Sequence, residues 1–381
     1  MIQEPIYILG GLCLLIALSE WLCKKTFLKH ISTSLLVIIL TAVVANFGLI
    51  PSASNASPVY DSIFKYVAPA SIFFLLLGVS LKQLKKAGIP MLIMFFIGAT
   101  GTILGVIVAL QLIDGPAVFG DSFNAIAGMM TGTYIGGSAN FNAVALHYDV
   151  VRDGAIYTGV VVADNIVTAV WMMVTLSIPV ILNKWRPRVK LMATDKGQHE
   201  THDDNEKMTP MTLGLLIMMA LGTLLFSDWA AKSLSGIGID VPSILILTTI
   251  AIVLAQFPAI QKLSGAKLLG MFTVYLFLAV VGAFCEVTAL AELGDLAGSI
   301  LLFTATIVVI HGLFIFLVGY FIKTDWYLMA IASQANIGGG STALALAKSY
   351  NRQDLILPAI LAGSLGTGVG TYFGFMVAGM L

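Results

Sequence analysis

Ten stretches of about 17 to 29 predominantly apolar residues recur along this chain, close to or above the roughly 20 that a membrane-spanning helix needs. They cover residues 5–23, 33–49, 62–81, 89–113, 154–182, 209–226, 241–258, 268–285, 296–322 and 355–380. The remainder cannot clothe a soluble globule. Only 10% of the 381 residues are charged, 20 Lys+Arg against 20 Asp+Glu, where soluble domains carry about 25%. That excludes a cytosolic enzyme, and a nucleic-acid binder would need a far more basic surface. A mean hydropathy of +0.96 agrees that lipid is the solvent for which this chain is built. Glu4 stands where a cleavable leader carries basic residues, so 5–23 is expected to be a permanent span. Cys13, Cys23 and Cys285 lack CxxC spacing and histidine neighbours, which argues against a disulfide framework or a metal site.

Two further apolar segments, 121–148 and 325–350, are interrupted at their centres by Gly136-Gly137-Ser138 and Gly338-Gly339-Gly340. One long hydrophilic stretch, 183–208, divides the chain into a first membrane unit (1–182) and a second (209–381). It holds Lys184, Arg186, Arg188, Lys190, Lys196 and Lys207 and reads as a flexible linker, with His199 and His202 as ordinary linker residues. At an offset of 202, Ile135-Gly136-Gly137 falls on Ile337-Gly338-Gly339, Ala143 on Ala345 and Tyr148 on Tyr350. Each half therefore reads as four spans, a Gly-broken segment and one long span. Internal duplication of this kind marks secondary-transporter folds.

Charge decides whether the broken segments cross the membrane or return. If both are re-entrant hairpins and the N-terminus is outside, 17 Lys and Arg lie on the cytoplasmic side, against Lys65, Arg152 and Lys232 outside. If both cross, the count is 10 against 10. The positive-inside rule favours hairpins, with both termini outside and 183–208 cytoplasmic. Five spans per half is an odd number, so the two repeats must be inverted. The expected fold is an all-α polytopic membrane protein of two inverted five-helix repeats, each with a Gly-broken re-entrant hairpin or discontinuous helix.

A backbone break in lipid survives only where it faces protein or a polar cavity, because its N–H and C=O groups otherwise lack partners. Glycine permits φ > 0 there and a close approach of a solute. The breaks also carry Thr131, Thr133, Tyr134, Ser138, Asn140 and Asn142 in the first half, and Ser333, Gln334, Asn336, Ser341 and Thr342 in the second. With Gly136, Gly137, Gly338, Gly339 and Gly340, all of these but Thr131, Tyr134 and Ser333 form the expected substrate site. Gly366, Gly370 and Gly374 have the small-xxx-small spacing of close helix packing.

Asp164 is the only acid expected deep within a span, and an intramembrane carboxylate is a functional candidate by default. It can hold Na⁺ with Asn165 and hairpin carbonyls, or carry a proton. The repeat offset sets Gly366 and Thr367 opposite Asp164 and Asn165, so one half alone supplies the carboxylate. His311, midway along 296–322, reads first as a neutral core histidine bonded to a carbonyl and second as a proton relay. Glu20, Glu286 and Glu292 fall at span ends, where their charge reaches the interface. Trp21, Trp185, Trp229 and Trp326 also fall at span ends and read as interfacial anchors.

The run Gly132-Thr133-Tyr134-Ile135-Gly136-Gly137-Ser138-Ala139-Asn140-Phe141, with Ala163-Asp164-Asn165 and Asn336-Ile337-Gly338-Gly339, resembles the YjcL-like membrane proteins, domain of unknown function 819. The resemblance spans essentially the whole chain. That family is similar in turn to the group of cation:proton antiporters and anion symporters. The resemblance implies a core domain that holds the broken segments and moves, elevator-like, against a scaffold, commonly as a homodimer. It also implies Na⁺ or H⁺ coupling through Asp164 and Asn165. Related folds often use crossing discontinuous helices, whereas the charge count favours hairpins as in the glutamate symporters.

These readings converge on a cation-coupled secondary transporter in the cytoplasmic membrane, carrying a small polar or anionic solute such as a carboxylate, an amino acid or a short peptide. No cofactor beyond the coupling ion is expected. A cation:proton antiporter without an organic substrate is the main alternative, and a passive channel the lesser one. An enzyme is not expected: the chain has no HExxH, no GxSxG and no deep carboxylate pair.

Overall fold

The computed structural model describes residues 4–25, 33–79, 87–187, 208–239, 241–286 and 294–381. Lys29, Lys82, Lys85, Lys86, Arg188, Lys190, Lys196, His199, His202, Lys207 and Glu292 lie outside the described residues. Within them the chain is helical and contains no strand.

The first half contributes α1 (Pro5–Lys25), α2 (Thr33–Asn46), α3 (Pro58–Leu76), α4 (Ile89–Ile113), α5 (Phe123–Gly136), α6 (Ser138–His147) and α7 (Gly154–Trp185). The second contributes α8 (Pro210–Ser235), α9 (Ser243–Leu254), α10 (Ala266–Phe284), α11 (Gly294–Phe321), α12 (Trp326–Ile337), α13 (Gly339–Ser349) and α14 (Gln353–Met380). Helix starts follow local chemistry. Asp153 caps α7 by accepting from the Ile156 N–H, and Thr209 with Thr212 forms a capping box at α8, where Pro210 supplies a first-turn residue that needs no N–H partner.

Among the described residues eight helices are long and apolar enough to span a membrane. Two of the ten expected spans fall short. The segments 33–49 and 241–258 become α2 and α9, of 14 and 12 residues, about 21 and 18 Å at 1.5 Å per residue. Chain punctuation shortens them. Gly48 turns with φ 72° after α2, and Pro242 and Pro258 bracket α9. In the other direction, α8 continues nine residues beyond 226, so Asp228 lies in the last third of a helix. Eight multi-residue apolar helices and the apolar outer faces of α1 and α8 establish a multi-pass membrane protein.

Packing sorts the helices into two groups. In one, α2 and α3 lie against α10, α1 against α2, and α9 against α3 and α8. In the other, α4 runs along α11, α5 along α14, α12 against α4 and α7, and α13 against α14. Contacts between the groups are sparser and run through α6 with α3, α7 with α10 and α9 with α14.

Both Gly-broken segments turn back on themselves. Gly128 lies beside Val144 and Gly132 beside Asn140, so α6 returns antiparallel along α5 from the turn at Gly137, where φ is 89°. In the second half the Tyr327 and Tyr350 rings meet at 4.8 Å, and Arg352 Nη1 donates to Asp325 Oδ2 at 2.6 Å. Residues 23 and 27 apart along the chain touch at the open end, so α13 returns along α12 from Gly338-Gly339. Trp326 is accordingly no interfacial anchor. It is 3% exposed, stacks on Tyr320 and donates its indole N–H to the Arg186 carbonyl, whereas Trp21, Trp185 and Trp229 are open.

Candidate functional site

The first hairpin is seated by glycine. Gly128, Gly132 and Gly136 of α5 face Gly374, Gly370 and Gly366 of α14, one pair per turn in antiparallel order. A Cβ on Gly136 would lie 2.0 Å from the Gly366 carbonyl oxygen, and one on Gly366 would lie 2.2 Å from the Ile135 carbonyl oxygen. Backbone touches backbone, which only residues without side chains permit. Asn140 adds a side-chain anchor, its Oδ1 accepting from the Thr371 N–H at 2.9 Å and the Thr371 hydroxyl at 2.6 Å. Asn142 is held on the other side, where the Tyr157 hydroxyl donates to its Oδ1 at 2.6 Å.

The second hairpin is seated by side chains. Trp171 of α7 donates its indole N–H to Ser333 Oγ at 3.0 Å, and the Thr175 hydroxyl lies 3.2 Å from Gln334 Oε1. Tyr350 donates to the Thr175 carbonyl. Asn336 donates through Nδ2 to the Phe95 carbonyl of α4 at 3.2 Å and to Ala332 O at 3.0 Å. Gly338 sits between Gln334 and Thr342, and Thr342 donates to the Gly339 carbonyl at 3.0 Å.

The two tips come together on α14. Gly363 packs against Gly339 and Gly340 of the second tip, and Gly366 one turn later against Ile135 and Gly136 of the first. Thr367 follows, its hydroxyl turned to the Gly363 carbonyl at 3.1 Å. The two hairpins carry most of the unmet hydrogen-bonding capacity among the described residues. Among the described residues seven buried side-chain polar atoms lack a partner, and four of them are Tyr134 Oη, Asn140 Nδ2, Gln334 Nε2 and Asn336 Oδ1. Their residues are at most 1% exposed. Each such atom costs about 1–3 kcal/mol, and their clustering at both tips asks for an explanation other than packing. Thr131 and Thr133 are buried on α5, while Ser138 and Ser341 stand exposed just past the breaks.

Asp164 lies on α7, half-buried, and accepts from the Thr168 hydroxyl at 3.1 Å. The Tyr134 hydroxyl of the first hairpin interacts with Asp164 and Thr168 of α7, outside close hydrogen-bond geometry. Asn165 turns away, donating to the Val161 carbonyl of its own helix at 2.7 Å. The structure thus joins Asp164 to the first tip through Tyr134, and leaves Asn165 and Thr367 each on a carbonyl four residues back.

His311 of α11 is fully buried against α4, Trp171 and the second hairpin's first helix, α12. Its Nδ1 lies 2.9 Å from the Gly98 carbonyl and 3.0 Å from Thr102 Oγ1, and its Nε2 lies 2.9 Å from Ser333 Oγ. A carbonyl only accepts, so this network assigns the proton to Nδ1 and leaves Nε2 to accept from Ser333. Among the described residues no group of three or more His, Cys, Asp or Glu could hold a metal ion. A surface groove of about 460 Å³, lined by residues such as Ile89, Ile93, Phe96 and Phe314 of α4 and α11, is apolar and holds none of these polar side chains.

Sequence reasoning missed Thr102, Trp171 and Thr175. Asp164, Thr168, Trp171 and Thr175 are spaced 4, 3 and 4 residues apart, one face of a helix. That polar stripe within a long apolar span was the available signal.

Comparison with known proteins agrees with the membrane reading. A family model described as "Protein of unknown function (DUF819)" matches residues 7–381. The "Uncharacterized membrane protein YjcL" of Bacillus subtilis (strain 168) is 28% identical over 352 residues, covering 87% of this chain and 85% of that protein.

Proposed function

The chain belongs to the DUF819 family, and we propose that it is a cation-coupled secondary transporter of a small polar or anionic solute, held where the two hairpin tips meet. The observation that carries this reading is the set of four buried, unpartnered polar atoms on Tyr134, Asn140, Gln334 and Asn336. Two are amide donors and two are oxygens, so a solute with both donors and acceptors satisfies them. Gly340, Ser341 and Thr342 line the second tip on its open side, and the first turns of α6 and α13 supply N–H groups that favour an anionic group.

Charge supplies the reason for coupling. No Lys or Arg lies in either tip, and Asp164 is the carboxylate nearest the site. An anionic solute meets an uncompensated negative charge unless Na⁺ or H⁺ neutralises Asp164 first, so solute and cation enter together. Asn165 and Thr367 complete a cation site only by leaving their present helix carbonyls.

The same reading makes the two halves inverted repeats. Its support is the shared order of helix lengths, with the short helices α2 and α9 in matching places and both hairpins preceding a long helix. The helices around the hairpins form the moving core, and α1 to α3 with α8 to α10 form the scaffold, joined by few contacts suited to sliding. We place the protein in the cytoplasmic membrane as a homodimer, with both termini outside, the linker at 183–208 cytoplasmic, no enzymatic activity and no cofactor beyond the coupling ion.

The test is a thermal-shift screen of purified protein against small carboxylates, amino acids and short peptides in Na⁺ or K⁺, followed by uptake into proteoliposomes with and without a Na⁺ or pH gradient. Gradient-driven uptake that Asp164→Asn reduces at least about tenfold supports the reading. Proton release on adding Na⁺ with no solute present selects the antiporter reading instead, and uptake indifferent to both gradients rejects coupling.

A further inference from the structure

Hydrogen-bond donors run in one direction through the middle of the core. Trp171 of α7 donates to Ser333 of α12, and Ser333 donates to His311 Nε2 on α11. His311 Nδ1–H is shared between Gly98 O and Thr102 Oγ1 on α4, and Thr102 in turn donates to the Tyr134 carbonyl of α5 at 3.1 Å. The Tyr134 side chain then faces Asp164, two turns before Trp171 on α7. Five helices are closed into a ring, in which His311 joins Ser333 of the second hairpin to Gly98 and Thr102 of α4, and Thr102 holds the first hairpin.

We propose that His311 is a positioning residue that transmits the state of Asp164 to the second hairpin. The proposal rests on the coupling reading above and deepens it by naming how the cation site acts on the solute site. A cation at Asp164 draws the Tyr134 hydroxyl towards or away from the carboxylate. The Tyr134 carbonyl is fixed to Thr102, so that shift reaches His311 and, through Ser333, the neighbouring Gln334 and Asn336.

Three features favour this role over proton relay. His311 Nδ1–H is shared by the Gly98 carbonyl and the Thr102 hydroxyl oxygen and Nε2 accepts from Ser333, so none of its partners is an acid or base with which it could exchange a proton. The titratable group that faces Asp164 from a packed helix is Tyr134, and His311 touches neither Asp164 nor another carboxylate. Gly98 has no room for adjustment, because a Cβ there would lie 2.7 Å from Asn336 Nδ2 and 3.0 Å from His311 Cε1. The ring is therefore tightly packed where it crosses α4, and a displacement at one hairpin is passed on instead of being absorbed.

The experiment places a single cysteine at the exposed Ser341 of the second tip, after replacing Cys13, Cys23 and Cys285 by serine or alanine, and follows maleimide labelling of the full chain in proteoliposomes. The probes are Na⁺ against choline, and pH 6 against pH 8. The expected labelling rate changes about fivefold or more with one of these cations, and Asp164→Asn abolishes the change. His311→Leu also abolishes it while labelling itself continues, and His311→Gln, which retains one donor and one acceptor, restores most of it. A His311→Leu protein that keeps the full cation response overturns the proposal and leaves the coupling reading standing. A parent protein with no cation response overturns both. Should His311→Leu fail to fold, Ser333→Ala, which removes only the hydroxyl between His311 and Trp171, is expected to reduce the response in the same way, and an unchanged response there counts equally against the proposal.

Discussion

The two hairpins have the same plan and are held by opposite means. The first lies on α14 with three glycines against three, backbone on backbone, and only Gly137 and Ser138 at its tip are half-open or open. The second lies on α7 through hydroxyl, amide and indole groups, and residues 338 to 342 at its tip are open or half-open. Close backbone packing has one arrangement, whereas side-chain hydrogen bonds can be exchanged for others at about 1 kcal/mol each. The first hairpin is thus built as a fixed wall and the second as the part able to rearrange around a solute.

The largest effect expected from this contrast is steric. Gly136→Ala drives a methyl group into the Gly366 carbonyl, so its cost is about 3 kcal/mol or more, the upper range of overpacking. Gly340→Ala meets nothing closer than 3.4 Å and is expected to be within about 0.5 kcal/mol of the parent. Thermal unfolding of the purified variants in one detergent checks the pair. Equal losses would show that the hairpins are seated alike and would break the comparison.

Next comes the open end of each hairpin. Arg352 joins Asp325 and Asp354 at 2.6 Å each and is 4% exposed, so Arg352→Gln leaves a buried carboxylate unpaired and is expected to cost about 3–5 kcal/mol. At the first hairpin Arg152 pairs with Asp149 and with Asp61 of α3, all well exposed, and Arg152→Gln is expected to cost about 1 kcal/mol or less. The clamps differ in reach as well as in strength. Arg352 closes the second hairpin on its own group of helices, and Arg152 ties the first to the scaffold group. If Arg152→Gln proves the more damaging, the tie between the groups matters more than the closure of the second hairpin.

A smaller effect separates the turns themselves. Gly137 has φ 89° and ψ −177°, a conformation essentially reserved to glycine, and Gly339 has φ 77°; neither has an atom in the way of a Cβ. Alanine at either position costs backbone strain alone, about 1–3 kcal/mol at Gly137. Gly339→Ala is expected to fall at or below the lower end, because the open second tip can relax. Urea unfolding of both variants in mixed micelles ranks them, and a larger loss at Gly339 would place the rigid turn in the second hairpin.

Much of this contrast was legible in the chain and part was not. The apolar runs located every long helix, and the charge count chose hairpins before any coordinates, because topology leaves its mark on Lys and Arg in loops. Gly366, Gly370 and Gly374 signalled close packing, and they pack closely. Their partners were hidden, because with 37 glycines in the chain nothing in the spacing assigns Gly128, Gly132 and Gly136 to α14, and Gly136 looked like a ligand contact. The short helices α2 and α9 were overestimated because apolar composition continues through turns that Gly48 and Pro258 impose. Trp326 was misplaced because a helix end inside the protein resembles one at the membrane interface. Asn140, Gln334 and Asn336 stood out as polar residues at breaks, yet which of their atoms find partners depends on Thr371, Thr175 and Phe95, which lie far away in sequence.

The smallest expected effect is also the most specific to the tie between the groups. Arg152 and Asp61 are 49% and 61% exposed at their side chains, so salt screens their attraction, whose range shrinks from about 10 Å at 0.1 M to about 3 Å at 1 M. The stability difference between the parent and Arg152→Gln is therefore expected to vanish at 1 M salt. The difference for Arg352→Gln should persist, because Arg352 and its partner Asp325 are each 4% exposed. If both differences respond to salt alike, Arg352 is more open to water than its 4% exposure implies, and the second hairpin would be the looser of the two at its base as well as at its tip.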